Sequence, residues 1–267
     1  MRTGFWSTGK GRTLNVVLVL AASALLWEAV VRGAGIKPYL LPTPSAVLVE
    51  FAGRPMWYLQ HAYYTVMETL IGFAGAVLLG VIMAVGIVYS RWLEQTLYTL
   101  LVTLNAIPKI AIAPIFITWL GAGLEPKIVI AVFVAIFPIV IDTVLGLRSV
   151  DPEMLNLAKS LGGSRFQVLW KIRAPCALPS LFAGMKVGIT LAFIGAIVGE
   201  FIAAEVGLGY VVVASQVRFD TPQMFAAISL LALLGLVLFY AIELAENLSV
   251  PWHVSHRSES GRAHAPA

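Results

Sequence analysis

Six long apolar runs, separated by polar stretches, constrain this chain more than any other feature of its sequence. A helix rises about 1.5 Å per residue and the hydrocarbon core of a bilayer is about 30 Å thick, so about twenty apolar residues can cross it. With 59% hydrophobic and 12% charged residues, the chain is too apolar for a soluble globular protein. The sequence predicts an all-α membrane protein with six transmembrane helices, over residues 14–31, 65–89, 95–120, 127–147, 180–203 and 223–246.

The polar segments predict how the chain is oriented. The basic start (residues 1–13), the middle segment (148–178) and the tail (249–267) carry roughly twice as many Lys and Arg residues as the opposite side, and these residues accumulate on the cytoplasmic face. Both termini are therefore predicted to be cytoplasmic, on either side of one membrane domain (14–248). The last ten residues of the polar tail are expected to be disordered. Residues 32–64, with four prolines, are expected to form a mixed outer loop.

The longest interval in the middle of the chain that cannot lie inside a bilayer is Asp151–Pro179, called the central loop below. Its sequence predicts two short helices separated by a turn. Asp151 fits the capping position of the first helix, and Pro152 fits its first position, where no backbone donor is needed. Gly162 and Gly163 are expected to end that helix.

The second helix of the central loop is predicted to begin at Ser164, which has the spacing of a capping box with Gln167, and to end at Pro175 and Pro179. Both helices carry an apolar stripe that needs a partner surface. On periodicity alone, the stripes can rest on lipid headgroups, pack under neighbouring membrane helices, or dock on another protein. The stripe of the first helix consists of Met154, Leu157, Ala158 and Leu161.

Four polar residues within or near the predicted spans are candidates for a translocation pathway. A charge at bilayer depth is costly and normally faces protein or a water-filled cavity. Lys109 lies deep in the third span, next to prolines that free backbone carbonyls. It either neutralises a buried carboxylate or lines a pathway. The other candidates are Asn105, Asp142, which is expected near the inner end of the fourth span, and Glu200 in the fifth.

Small residues recur at every fourth position along two of the predicted spans. Such stripes let two helix backbones approach closely, which matters where lipid removes the usual hydrophobic drive to associate. The second and fifth spans are therefore predicted to pack tightly against neighbours. The glycines of these stripes are Gly72 and Gly80 in the second span, and Gly184 and Gly188 in the fifth.

Several kinds of chemistry are not expected in this chain. Cys176 is the only cysteine, so an intrachain disulfide is impossible. Residues 4–10 have the glycine and lysine spacing of a phosphate loop, but Gly11 stands where the magnesium-binding Ser or Thr belongs. The four histidines show no metal-ligand spacing. The net charge of +4 follows from the cytoplasmic loops and does not indicate nucleic acid.

The central loop carries a motif that resembles a known family. Asn156-Leu157-Ala158, followed by Gly162 and then by Leu178-Pro179, resembles the EAA signature of permease subunits of bacterial ABC importers. Asn156 stands where that family usually has Glu, and Leu157 replaces the first Ala. Segments 107–114, 119–123, 126–127, 199–201 and 207–210 further resemble the nitrate, sulfonate and taurine type permeases.

This resemblance implies a permease of type I ABC importer architecture in the bacterial inner membrane. Such a subunit works as a homodimer or paired permease with two cytoplasmic ABC ATPase subunits and a periplasmic substrate-binding protein. The expected substrate is a small, anionic solute such as nitrate, a sulfonate or taurine, or a related organic compound. The chain itself is then not an enzyme and holds no cofactor, because the ATPase subunits bind ATP and magnesium.

The resemblance also implies that the central loop is the coupling loop that docks on the ATPase. The implied coupling residues are Met154, Asn156, Leu157, Ala158, Leu161, Gly162 and Ser164. An alternative is an ATP-independent secondary transporter or channel, in which Lys109, Asp142 and Glu200 form an ion relay. A membrane scaffold is another. In both alternatives the Gly162 region is only a linker.

Overall fold

The computed structural model of the protein describes residues 9–105 and 107–251. Every regular element within these residues is helical, which confirms the predicted all-α class. Residues 1–8 and 252–267, which hold most of the predicted N-terminal segment and tail, lie outside the described residues. The α-helices are α1 (Gly9–Gly33), α2 (Pro44–Gly53), α3 (Pro55–Tyr89), α4 (Arg91–Leu93), α5 (Thr99–Asn105), α6 (Ala113–Leu120), α7 (Glu125–Arg148), α8 (Pro152–Ser160), α9 (Arg165–Val168), α10 (Ala174–Ala203), α11 (Leu208–Val217) and α12 (Thr221–Ser249).

Four helical stretches of the described residues are long and apolar enough to cross a membrane. They are Pro55–Tyr89, Glu125–Arg148, Arg165–Ala203 and Thr221–Ser249, and they contain the second, fourth, fifth and sixth predicted spans. The first predicted span lies within α1. α3 begins at Pro55 and not near residue 65, because a proline at the start of a helix costs no hydrogen bond.

The third predicted span, residues 95–120, is not one continuous helix. α5 ends at Asn105, and a 3-10 turn at Lys109–Ile112 leads into α6. Pro108 lies in this break with an extended backbone; it has no N–H to donate, and it disfavours a helical conformation for the residue before it. The prediction of a single helix is therefore wrong for this segment.

The second helix of the central loop does not end at Pro175 or Pro179. A π turn at Leu169–Arg173 joins α9 to α10, so that one helix runs from Arg165 to Ala203. Pro175 lies at the start of α10, directly after a turn in which the regular hydrogen-bond ladder is already shifted. The predicted helix end is wrong, and the central loop continues without a break into the fifth span.

The centre of the membrane body is α7, which packs chiefly against α3 on one side and α10 on the other. The predicted glycine stripes lie at these two contacts. A Cβ atom added to any of the four glycines would meet an atom of α7 at 3.0 Å or less, so only a hydrogen fits there. The separations are 2.5 Å at Gly72, 2.8 Å at Gly80, 3.0 Å at Gly184 and 2.8 Å at Gly188.

Candidate functional site

The first helix of the central loop, α8, presents an apolar face that the other described residues leave uncovered. Met154, Leu157 and Leu161 are 50%, 61% and 78% exposed. Ala158 between them is half-buried, and Asn156 is exposed. Large apolar side chains exposed together on a segment outside the apolar helices indicate a surface that binds a partner.

Local hydrogen bonds fix both ends of α8. The carboxylate of Asp151 accepts a hydrogen bond from the backbone N–H two residues later, at 2.8 Å. At the other end, Gly162 N–H donates to the Lys159 carbonyl at 3.0 Å and Gly163 N–H to the Ala158 carbonyl at 2.9 Å, which is a Schellman motif. Gly162 has a φ of +73°, a conformation that side chains with a Cβ rarely adopt.

The turn that follows leads into a segment anchored on the membrane helices. The predicted capping box is present: Ser164 Oγ accepts from Gln167 N–H at 3.2 Å, and Gln167 Oε1 accepts from Ser164 N–H at 2.8 Å. The Tyr89 hydroxyl at the end of α3 donates to the Arg165 carbonyl at 3.2 Å. The α8 face is thus presented on a defined turn whose next helix is tied to α3.

The residues predicted to line a pathway form two separate groups. The Lys109 ammonium lies 4.3 Å from the centre of the Phe137 ring on α7, a cation–π distance. Asp142 is five residues further along α7, about 8 Å along the axis, and lies against α10 at Gly184, so it faces a different neighbour from Phe137. The side chain of Asn105 lies outside the described part of the structure.

Glu200 lies far from that region. It is sixteen residues beyond Gly184 on α10, or about 24 Å along the helix axis. Its side chain belongs to a buried polar cluster at the opposite end of the helix bundle from the central loop. Only 1% of Glu200 is exposed.

An ion pair forms one part of this cluster. The Lys127 ammonium at the start of α7 donates to Glu68 Oε1 on α3 at 2.7 Å, and the two side chains are 5% and 0% exposed. Charges removed from water to this extent are stable only when they are paired. The pair therefore holds α3 and α7 together at the end of the bundle opposite the central loop.

Glu200 forms the other part, and it holds the turn before α11. The Thr65 hydroxyl of α3 donates to Glu200 Oε1 at 2.6 Å and accepts from Leu208 N–H at 2.9 Å. Gly209 N–H donates to Glu200 Oε2 at 2.5 Å. Glu200 thus accepts directly from one free donor at the N-terminus of α11, Gly209 N–H, and positions Thr65 to accept from a second, Leu208 N–H.

Sequence reasoning missed most of this cluster. Glu68 and Thr65 were not singled out, nor was His61, whose Nδ1 accepts from Gly207 N–H at 3.0 Å. Lys127 is predicted only as the first residue of the fourth span and as part of the resembling segment 126–127. The available signal was Glu68 itself, since an acidic residue near the start of a long apolar run needs a buried cation.

A cavity of about 440 Å³ lies beside the ion pair. Two aromatic rings, Tyr63 and Tyr64, contribute to its wall together with Glu68, Lys127 and Glu205. Their ring centres are 5.8 Å apart in an edge-to-face arrangement. The cavity thus combines aromatic surface with the charged side chains of Glu68, Lys127 and Glu205.

The chain is similar to a described protein family and to several known proteins. Residues 76–248 match the family model described as binding-protein-dependent transport system inner membrane component. The chain is 38% identical over 246 residues to the riboflavin transport system permease protein RibX of Chloroflexus aurantiacus, covering 91% of each chain. It is 34% identical over 242 residues to the formylaminopyrimidine transport permease protein ThiX of Halalkalibacterium halodurans, covering 90% of this chain and 96% of the relative.

More distant relatives share the same architecture. The taurine transport system permease protein TauC of Escherichia coli is 28% identical over 258 residues, covering 93% of this chain and 92% of the relative. The fold also resembles a chain in an inward-facing structure of the MetNI methionine ABC transporter, with a TM-score of 0.65 and 18% identity. That match covers 73% of this chain and 97% of the other.

Proposed function

Because the chain belongs to the family of binding-protein-dependent transport system inner membrane components, and is thus the permease subunit of an ABC importer, we propose that it forms one half of a solute path through the bacterial inner membrane. The other half is a second copy or a paired permease. Two ATPase subunits act from the cytoplasm and a binding protein delivers the solute from the periplasm. ATP chemistry takes place on the ATPases and not on this chain.

The observation that carries this proposal is the uncovered apolar face of α8. The face coincides with the segment that resembles the EAA signature, and it is presented on a capped, tightly turned helix. We assign Met154, Leu157 and Leu161 to contact with the ATPase, with Gly162 and Ser164 setting the turn. The excess of Lys and Arg on this side of the chain supports a cytoplasmic location.

Replacing one exposed leucine tests this assignment. Leu157→Glu places a charge in the proposed contact, where an unpaired charge is costly, and is expected to abolish both co-purification of the ATPases and uptake. Ser160→Glu adds the same charge on the polar face of α8 and should leave both unchanged. Retention of the ATPases by Leu157→Glu, with uptake intact, would refute ATPase docking through α8.

We place the solute path at the break in the third predicted span. Lys109 follows the break and Asn105 precedes it, and Asp142 lies on α7 about 8 Å along the axis from Phe137, the ring that Lys109 contacts. A broken helix exposes backbone groups that are tolerated in a membrane where they line a cavity. Glu200, the remaining predicted pathway residue, is assigned instead to holding the outer turn, because both of its carboxylate oxygens accept hydrogen bonds there.

Lys109→Met tests this placement, because the side chain keeps a similar length and loses only its charge. Uptake by the assembled transporter is expected to fall while ATPase association and thermal stability stay unchanged. Normal uptake with reduced stability would instead make Lys109 a structural residue.

For the substrate we propose a flat nitrogen heterocycle. RibX and ThiX, whose names specify riboflavin and formylaminopyrimidine, are more similar to this chain than TauC is. The tyrosine-lined outer cavity offers aromatic surfaces for such a ring. A small solute with an anionic group, such as nitrate or the sulfonate of taurine, is the second candidate, and the cation at Lys109 is the observation that favours it.

Competition for uptake separates the two candidates. Riboflavin and formylaminopyrimidine should each be tested against taurine and nitrate, with the cognate binding protein present. Inhibition by a heterocycle alone supports the first candidate, and inhibition by taurine or nitrate alone replaces it with the second.

A further inference from the structure

We propose that an anionic phospholipid binds beneath the central loop, with its phosphate in a cationic cavity under α8 and part of an acyl chain in an adjoining apolar cavity. The proposal rests on the proposed function in one respect: the central loop must face the cytoplasmic leaflet.

The cationic cavity has a volume of about 260 Å³ and lies between α8, α9 and the end of α3. Three basic side chains line it, Lys159, Arg165 and Arg173, and no acidic side chain of the residues that the structure describes does. One of them is incompletely satisfied within the protein. Arg173 Nη1 donates to the Leu147 carbonyl at 3.0 Å, whereas its Nε is buried and has no hydrogen-bond partner. Three positive charges at one cavity favour an anionic ligand there.

The apolar cavity has a volume of about 220 Å³. Val81 and Val85 of α3 line it together with Leu147, Trp170 and Leu181, and no charged residue contributes to its wall. It lies between α3, α7 and the helix that leaves the central loop. Such an apolar lining favours the hydrocarbon of an acyl chain.

The two cavities follow one another along the same face of α3. Val81, Val85 and Tyr89 are spaced by four residues and therefore share that face. The two valines line the apolar cavity and Tyr89 lines the cationic one, about 6 Å further along the axis. Tyr89 and the exposed Trp170 are also the residue types that mark a membrane interface. The site is thus apolar towards the membrane interior and cationic at its surface.

This order of surfaces matches a phospholipid better than it matches an acidic segment of a protein. A carboxylate could pair with the basic residues, but it would leave the adjoining apolar cavity without an occupant. Leu155 and Lys159 of α8 line the cavity, whereas Leu157 and Leu161 point to the proposed ATPase contact, so both partners can be bound together. Basic pockets between transmembrane helices on the cytoplasmic side bind acidic headgroups by the same physics.

The test uses the purified transporter with its ATPases and measures binding of phosphatidylglycerol and phosphatidylcholine by native mass spectrometry. The wild type should retain phosphatidylglycerol preferentially. Lys159→Gln with Arg165→Gln should weaken that binding about 25-fold, since each cation near an anionic lipid contributes about a factor of five. Lys171→Gln removes an exposed charge from the same helix outside the cavity, and its effect should stay below about fivefold.

Further variants and a competition measurement identify the chemical class of the ligand. Ala174→Phe narrows the apolar cavity and should also weaken phosphatidylglycerol binding, whereas glycerol 3-phosphate should not compete. Efficient competition by glycerol 3-phosphate, or an equal loss with Lys171→Gln, would overturn the proposal. Loss of ATPases from the double variant with lipid binding intact would show a protein contact instead. Leu157→Glu should release the ATPases and keep the lipid, so failure of ATPase docking is distinguishable from failure of the lipid site.

Discussion

Removing the cation of the buried ion pair is the most decisive perturbation that this structure suggests. In Lys127→Met the side chain keeps its length but no longer donates to Glu68 Oε1. The Glu68 side chain is fully buried, and its second carboxylate oxygen, Oε2, already has no hydrogen-bond partner within the described protein. The variant therefore leaves a carboxylate in the bundle without a compensating charge.

The size of the effect follows from two opposing terms. At 2.7 Å the attraction between the charges is about 6 kcal/mol for an effective dielectric constant of about 20. Removing each charge from water costs several kcal/mol, so the intact pair contributes little net stability. Breaking such a pair leaves one desolvation cost without its compensation, and is expected to destabilise the fold by about 3 to 5 kcal/mol.

Thermal unfolding in a fixed detergent, followed by the loss of monodisperse protein, measures this effect. Lys127→Met should lower the melting temperature by about 10 °C, since each kcal/mol corresponds to about 2 to 4 °C in a chain of this size. Arg148→Met is the matched control, because its pair with Glu94 is more than 40% exposed and such pairs contribute at most about 1 kcal/mol.

A double variant decides whether the loss comes from charge. Glu68→Leu together with Lys127→Met replaces the pair by apolar side chains of similar size and should recover most of the stability. If the double variant is as unstable as Lys127→Met alone, then packing at residue 127 and not the unpaired carboxylate explains the loss, and the reasoning fails.

Three further substitutions probe the outer turn and the helix contacts. Gly207→Ala, at a φ of +112° and with a Cβ that would lie 2.1 Å from Glu200 Oε1, should destabilise the protein by at least about 2 kcal/mol and increase amide exchange in the turn before α11. Thr65→Val removes a buried hydroxyl that both donates and accepts, and is expected to cost about 1 to 3 kcal/mol in thermal unfolding. Gly188→Leu should cost a similar amount by separating α10 from α7, whereas Gly53→Leu, which has open space around it, should be neutral in the same assay.

The local chemistry of the central loop could be predicted from the sequence because its causes lie within a few residues. The Asp151 cap and the Ser164 capping box depend on residues at most three positions apart, and the Gly162 turn on backbone bonds that span at most five positions. The second, fourth, fifth and sixth predicted spans lie within long apolar helices, because hydropathy over about twenty residues reports burial in lipid directly.

The prolines show where such reasoning stops. Pro108 lies in a break of the third predicted span, whereas Pro138 and Pro179 lie inside continuous helices and Pro175 follows a π turn. A proline removes one donor everywhere, but whether the helix ends depends on how neighbouring helices and turns satisfy the freed carbonyl. That information is tertiary, and the sequence pattern does not contain it.

The buried polar cluster around Glu68 and Glu200 could not be predicted from the sequence, because its contacts are also tertiary. Glu68 and Lys127 of the ion pair are 59 residues apart in the sequence, and Thr65 and Glu200 are 135 residues apart. A buried Glu signals that a partner exists but does not say which of several cations or donors it is. Once α3, α7 and α10 pack through their glycines, the pairing is fixed by geometry.

The continuous helix from Arg165 to Ala203 joins the central loop to that cluster physically. It spans about 58 Å, beginning beside the α8 turn and passing Glu200 near its end. Between these points the helix packs directly against α7 at Gly184 and Gly188, where there is no space for a side chain between the two helices. Closely packed interiors shift between discrete arrangements and do not deform gradually. A displacement of the central loop is therefore either absorbed at the π turn Leu169–Arg173, where the hydrogen-bond ladder is irregular, or transmitted by α7 and α10 moving as one unit. In the second case the Glu200 contacts to the outer turn move with the loop, because both are parts of the same helix.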